Sequence, residues 1–224
     1  MVALPDGTFL IMNGAQQGFA GFGLATEPNH NAVLYDPTKP LGARMTSMAN
    51  TTIDRLYHNE AILLPDGRVL VSGSDPEDVR FPQEYRVETF TPPYLMGTRT
   101  ATRPTFSFIT NSTNWTYGEN IQLSVQVNDG GPISAVKVSL MGAVSSTHGN
   151  SMGQRTLFPA VSCSGSTCQV TSPPNSYICP PGWFQVYVLD SSGTPSVSQW
   201  VRIGGDPAGI GNWPQFPDFT VPGV

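Results

Sequence analysis

The stretch Arg55-Leu56-Tyr57-His58-Asn59-Glu60-Ala61-Ile62-Leu63-Leu64-Pro65-Asp66-Gly67-Arg68-Val69-Leu70-Val71-Ser72-Gly73 sets a phenol and an imidazole, both able to bind a metal, directly before a strongly marked β-hairpin. Neighbouring residues on a strand point to opposite faces, so Tyr57 and His58 can serve one ion only if the backbone bends there or a loop carries them. The chain has three His, and imidazole nitrogen suits copper. His148 lies in the small-residue stretch Ser145-Ser146-Thr147-His148-Gly149-Asn150-Ser151-Met152-Gly153-Gln154-Arg155, expected to be a long exposed loop. His30, between Asn29 and Asn31, reads as surface. No two His share one element at metal-ligand spacing, so a local zinc motif is absent. Hydrolytic chemistry has little support: the chain lacks a Gly-x-Ser-x-Gly elbow, a His-Glu-x-x-His helix and a phosphate-cradling Gly-rich loop. Asp75, Glu77 and Asp78 read as a solvated turn.

The elements that must position Tyr57 and His58 come from a repeat. Leu4-Pro5-Asp6-Gly7-Thr8-Phe9-Leu10-Ile11-Met12-Asn13-Gly14 is echoed by Leu64-Pro65-Asp66-Gly67-Arg68-Val69-Leu70-Val71-Ser72-Gly73. In each copy Pro-Asp-Gly sets a tight turn, a short apolar strand follows, and Gly ends it. Asn31–Pro37 and Val87–Phe90 read as the next strand after each copy. Repeated sheets of this kind are the blades of a β-propeller, here of kelch type. Two copies cannot close a ring without exposing apolar faces and strand edges. The chain is therefore expected to hold the last blades of a truncated propeller over residues 1–98, with missing propeller blades upstream, and that part is expected to be the more protease-sensitive.

From residue 99 the pattern changes to period-2 runs, Ile121–Val127, Ala135–Leu140 and Gln185–Leu189, with turns at Asn128-Asp129-Gly130-Gly131 and Asp190-Ser191-Ser192-Gly193. These fit an immunoglobulin-like (early-set) β-sandwich over 99–206. Residues 207–224, rich in Pro and Gly, are expected to form an irregular tail. The 23 Gly and 21 Pro among 224 residues agree with many short strands and turns, so the fold class is all-β. Cys163 and Cys168 can staple a hairpin in an oxidising compartment, leaving Cys179 unpaired. Asn50, Asn111 and Asn114 open glycosylation triplets that would be used only on a secretory route.

With 11 basic and 16 acidic residues and no basic run, nucleic acid is excluded as a partner. No apolar run reaches the roughly 20 residues of a membrane span, and no signal peptide opens the chain.

Arg55-Leu56-Tyr57-His58 with the following Leu-Leu-Pro-Asp-Gly-Arg-Val strand, the Phe90-Thr91-Pro92-Pro93-Tyr94-Leu95 boundary, and Thr147-His148 with Gln154-Arg155 downstream resemble the C-terminal part of the glyoxal oxidase and galactose oxidase family, secreted copper radical oxidases. The resemblance implies a mononuclear copper held by Tyr57, His58 and His148. In this reading Tyr57 is also the catalytic base that takes the proton of the substrate hydroxyl. It further implies a small aldehyde or alcohol substrate, oxygen as co-substrate, hydrogen peroxide as product, and an extracellular parent protein. The family's Tyr-Cys radical cofactor is absent from this chain, because before Tyr57 there is only Tyr35 and no Cys. Asn59 stands where the family usually has Ser. The alternative reading is a non-catalytic carbohydrate- or wall-binding β module, in which Trp115, Trp183 and Trp213 stack on sugar rings.

Overall fold

The computed structural model describes residues 1–110, 113–147 and 149–206. His148, the Asn111 triplet's first two residues, Trp213 and the expected irregular tail lie outside the described residues. Among those described the secondary structure is strands joined by turns, with two short 3-10 turns at Pro93–Leu95 and Ile133–Ala135. The fold is all-β, as the composition and periodicity indicate.

The first part runs β1 (Val2–Ala3), β2 (Phe9–Ile11), β3 (Ala15–Gly18), β4 (Ala25–Pro28), β5 (Val33–Tyr35) and β6 (Met45–Ser47), then β7 (Glu60–Leu63), β8 (Val69–Ser72) and β9 (Glu88–Phe90). Strands β1, β2, β5 and β6 form one antiparallel sheet in that order, and β7, β8 and β9 form another. The sequence repeat is a structural repeat. In both turns the Gly amide donates to the Leu carbonyl, at 3.0 Å for Gly7 to Leu4 and 2.9 Å for Gly67 to Leu64. The Asp carboxylate accepts the amide two residues on at 3.0 Å in each copy. The closing Gly has φ of 88° at Gly7 and 85° at Gly67, a left-handed conformation that a side chain would resist. The hairpin β3–β4, which no sequence pattern announced, leaves the first sheet between β2 and β5.

The second part runs β10 (Thr105–Phe108), β11 (Asn114–Trp115), β12 (Asn120–Gln126), β13 (Lys137–Gly142), β14 (Ser145–Thr147), β15 (Asn150–Met152), β16 (Thr156–Leu157), β17 (Val161–Ser164), β18 (Thr167–Thr171), β19 (Gly182–Leu189) and β20 (Gln199–Ile203). A sheet in the order β10-β12-β18-β17 faces one in the order β11-β20-β19-β13-β16. Between them lies a core that includes Trp115, Leu123, Leu140, Phe184, Val186 and Val201. Ala135, expected to open a strand, instead ends a 3-10 turn after Pro132. Cys163 and Cys168 are directly paired across β17 and β18 and form the expected disulfide.

Strand β19 explains how the two parts join. Phe184, Val186 and Val188 point into the sandwich, while Tyr187 and Leu189, on the other face, pack with Met141 against Leu4, Leu10, Leu63, Val69, Tyr94 and Leu95. A strand buried on both faces loses polar alternation, which is why Val186–Leu189 reads as one apolar run. The Pro-Asp-Gly turn of the second copy supplies the polar side of this contact. The Tyr187 hydroxyl lies 2.8 Å from the Leu64 carbonyl, the Tyr94 hydroxyl donates to the Gly67 carbonyl at 2.6 Å, and the Ser198 amide donates to the Pro65 carbonyl at 2.9 Å. Burial pushes both phenols up, so they remain neutral donors.

Two outcomes follow from this packing. Tyr187→Phe should lower stability by about 1–2 kcal/mol, seen as a lower urea midpoint at unchanged slope, because it removes a buried hydrogen bond and leaves the apolar packing. Burial pushes the Cys179 thiol up to about 11, so at pH 8 it is protonated as well as covered. A thiol reagent at that pH should therefore read no cysteine in the native protein and one after unfolding without reductant.

Candidate metal centre

Tyr57 and His58 sit in a turn between Leu56 and β7, and His58 has φ 59°. This is the bend that the two side chains need in order to share one ion. Their rings stack with centroids 4.0 Å apart and an interplanar angle of 26°. Phe22, on the β3–β4 hairpin, meets both rings edge-on at 5.2 Å and 5.3 Å and covers one side of the pair.

The turn is held from beneath by Arg55, whose side chain is fully buried. Its guanidinium makes two bonds of 3.0 Å to the Glu88 carboxylate and donates at 2.9 Å to the carbonyls of Gly73 and Arg86. The Arg55 carbonyl accepts from the Gly14 amide at 3.0 Å, tying the ends of the two repeat copies together. The Leu56 amide donates to the Ser74 hydroxyl at 2.9 Å, and the Asp75 amide donates to the Tyr57 carbonyl at 2.7 Å. Gly73 is required here, because a Cβ at that position would lie 2.6 Å from the His58 carbonyl oxygen.

Asn59 laces the same turn. Its amide nitrogen donates to the Arg55 carbonyl at 3.4 Å and contacts the Leu56 carbonyl, and its oxygen accepts from the Asn13 side chain at 3.0 Å. A Ser could not span these three partners at once. The departure noted at this position therefore adds a clamp beside the metal-capable pair.

A cavity of about 320 Å³ opens over the pair, lined by Tyr57, His58, Asn59 and Met12 on one side and by Ser146 and Gly149 on the other. Ser146 and Gly149 belong to the β14–β15 hairpin, which interrupts the expected loop around His148. The structure thus brings the residues flanking His148 to the cavity that holds Tyr57 and His58. Among the described residues no group of three or more His, Cys, Asp and Glu could hold a metal, so the candidate centre rests on a mixed phenol and imidazole donor set. That set fits copper, which accepts imidazole nitrogen and oxygen donors in tetragonal geometry. Neither ring nitrogen of His58 is engaged in a hydrogen bond among the described residues, so both remain open to a ligand role.

The remaining sequence candidates are scattered. His30 lies at the surface with its Nε2 2.7 Å from Asp54. Asp75 is more than part of a solvated turn, because its backbone holds Tyr57 and one of its carboxylate oxygens is buried without a partner. Trp115 is buried in the sandwich core, which corrects the expectation that it is exposed for stacking. Trp183 is exposed, with Arg202 5.9 Å above its ring, and Trp200, not singled out from the sequence, is exposed on the neighbouring strand. Glu88, Ser74 and Phe22 also escaped the sequence reading, since their roles depend on contacts with residues far along the chain.

Residues 1–94 match the glyoxal oxidase N-terminus family model, and residues 103–203 match the galactose oxidase-like early set domain. Both matched segments are thus domains of the glyoxal oxidase and galactose oxidase type, and together they take up most of the chain. The chain is 60% identical over 224 residues to a WSC domain-containing protein of Arthroderma benhamiae, covering all of this chain and 23% of that protein. It is 37% identical over 214 residues to the aldehyde oxidase GLOX of Vitis pseudoreticulata, covering 91% of this chain and 40% of that protein. The chain thus spans well under half the length of these relatives. A solved fungal alcohol oxidase in complex with copper matches 90% of this chain and 41% of its own with a TM-score of 0.76; at 23% identity this likeness is one of fold.

Arg55→Ala should cost roughly 3 kcal/mol in urea unfolding, because it strands the Gly73 and Arg86 carbonyls and the Glu88 carboxylate together. It should also reduce the Tyr57 contribution to the near-ultraviolet circular dichroism, measured as the difference from Tyr57→Phe, because the turn that fixes that ring loses its support.

Proposed function

We infer that this chain is the C-terminal part of an extracellular copper radical oxidase that oxidises aldehydes or primary alcohols and reduces oxygen to hydrogen peroxide. The single observation that carries the reading is the turn at Tyr57 and His58, which stacks a phenol on an imidazole at the mouth of a cavity whose other wall flanks His148. In this reading Tyr57, His58 and His148 hold the copper, and residues 1–98 are the last blades of a kelch-type propeller, followed by the sandwich over 99–206. The disulfide between Cys163 and Cys168 supports an oxidising, extracellular setting. Among the described residues no helix is long and apolar enough to cross a membrane.

The work of the chain's own residues follows from their chemistry. A copper ion bound here supplies a Lewis acid that lowers the pKa of a coordinated phenol and accepts electrons. The Tyr57 phenol oxygen takes the proton of the substrate hydroxyl, and the His58 and His148 imidazoles each give a nitrogen lone pair to the metal. Phe22 keeps water from the covered side of the pair. Over the full reaction a primary alcohol loses two electrons and two protons, which oxygen gains as hydrogen peroxide. The chain has no Cys before residue 163, so alone it has no partner for a Tyr-Cys radical and should not turn over.

A second reading, sugar binding by the sandwich, draws on the exposed Trp183 and Trp200 on adjacent strands, with Arg202 over the Trp183 ring. Retention on cell-wall polysaccharide that is lost in Trp183→Ala and indifferent to copper would favour it.

Copper titration of the purified chain tests the first reading. Tyr57→Phe and His58→Ala should each weaken binding by at least about tenfold, and His148→Ala should do the same if the hairpin delivers that side chain. The copper-loaded chain should produce no peroxide from methylglyoxal or galactose. Peroxide production abolished by Tyr57→Phe would contradict the claim of inactivity.

A further inference from the structure

The β14–β15 hairpin has almost nothing apolar to hold it in place. Its strands read Ser145-Ser146-Thr147 and Asn150-Ser151-Met152, and every described side chain from 145 to 152 is exposed or only half-buried. Ser146 and Ser151 pair directly across the hairpin, and both serve it through polar contacts. The Ser151 hydroxyl donates to the Met1 carbonyl at 3.2 Å, and just beyond the hairpin Gln154 accepts from the Ala3 amide at 2.9 Å. These contacts tie the hairpin to Met1 and β1, and the Met1 ammonium also lies 3.5 Å from the Gly149 carbonyl at the edge of the same cavity. The contact to the strand that follows that turn is made by Ser146, whose hydroxyl donates to the carboxylate of Glu60. Glu60 opens β7, two residues after His58.

A hydroxyl bonded to a carboxylate forms a charge-assisted bond, roughly twice as strong as a neutral one. On a hairpin with no buried apolar side chain, one such bond has a large share in deciding where the element lies. Burial elsewhere cannot substitute for it. The wall of the cavity formed by Ser146 and Gly149 therefore depends on a residue of β7.

We propose that Glu60 is a positioning residue: by accepting from Ser146 it latches the 145–152 hairpin across the cavity from Tyr57 and His58, and so fixes the distance between the two walls of the metal centre. The latch rests on the copper reading for its consequence, and on the Ser146 contact for its existence. Glu60 touches no metal itself and acts through the hairpin.

Two readouts on the full chain separate these. Hydrogen exchange at the hairpin amides should quicken in Glu60→Ala and in Ser146→Ala while amides of β7 and β8 keep their protection, and Glu60→Gln, which preserves an acceptor, should restore much of the slow exchange. Copper affinity should fall on the order of 10- to 100-fold in Glu60→Ala, with one fewer imidazole nitrogen in the copper electron paramagnetic resonance spectrum, and should recover in Glu60→Gln. Wild-type exchange in Glu60→Ala would overturn the latch. A loosened hairpin with wild-type copper affinity would overturn the positioning role. If the wild-type chain binds no copper, the copper reading and the positioning role fall together, and the exchange data still decide the latch.

Discussion

A fully buried guanidinium is the constraint on which the candidate centre depends. Arg55 cannot lose its charge and cannot be left without acceptors, so the fold must supply them from several directions. It does so with the Glu88 carboxylate on β9 and with the carbonyls of Gly73 and Arg86. Those partners come from the end of β8 and the start of β9, so satisfying Arg55 fixes the chain that enters Tyr57 relative to the whole second sheet. The turn that follows then has little freedom. Ser74 and Asp75 bind its backbone, Asn59 bridges its carbonyls, and Gly73 leaves room for the His58 carbonyl. Two adjacent side chains that a regular strand would send to opposite faces are thereby stacked on one side.

The same economy of parts appears in the join between the two halves of the chain. Strands β13 and β19 face the sandwich core on one side and the repeat sheets on the other. The Pro-Asp-Gly turn of the second copy does double duty, closing its own hairpin and offering the Leu64, Pro65 and Gly67 carbonyls to Tyr187, Ser198 and Tyr94. The expectation that residues 1–98 stand apart as the more labile part needs restating in these terms. Their apolar residues Leu4, Leu10, Leu63 and Val69 are covered by the sandwich, whereas Val79, Tyr85 and Val87 on the loop before β9 are exposed. Susceptibility to proteases is expected in that loop and also around Phe19, Leu24 and Leu41, whose apolar side chains are likewise exposed.

The two walls of the cavity are held by different physics. The Tyr57 wall is embedded, with a buried ion pair and close backbone bonds beneath it. The hairpin wall is polar and thin, and a few hydrogen bonds set its place. A site divided in this way can keep one wall rigid while the other remains adjustable, which suits the proposed centre, whose ligands would come from two parts of the chain.

The sequence by itself determined a good deal: the all-β class, the repeat with its Pro-Asp-Gly turns, the Cys163–Cys168 staple and the family resemblance. Each of these is a local signal, carried by turn chemistry, period-2 alternation or short spacing, and local signals survive without knowledge of distant neighbours. Even the need for a bend at Tyr57 was legible, because it follows from strand geometry alone. Only the tertiary structure decided that the bend exists, that Arg55 and Glu88 enforce it, that Asn59 clamps it, that Trp115 is core, and that Ser146 reaches Glu60. The bonds between Ser74 and Leu56, Glu88 and Arg55, and Ser146 and Glu60 join residues 18, 33 and 86 positions apart. Pairings at such separations leave no periodic trace in a single chain, because they are chosen by burial and by the need to satisfy buried polar groups once the sheets have packed.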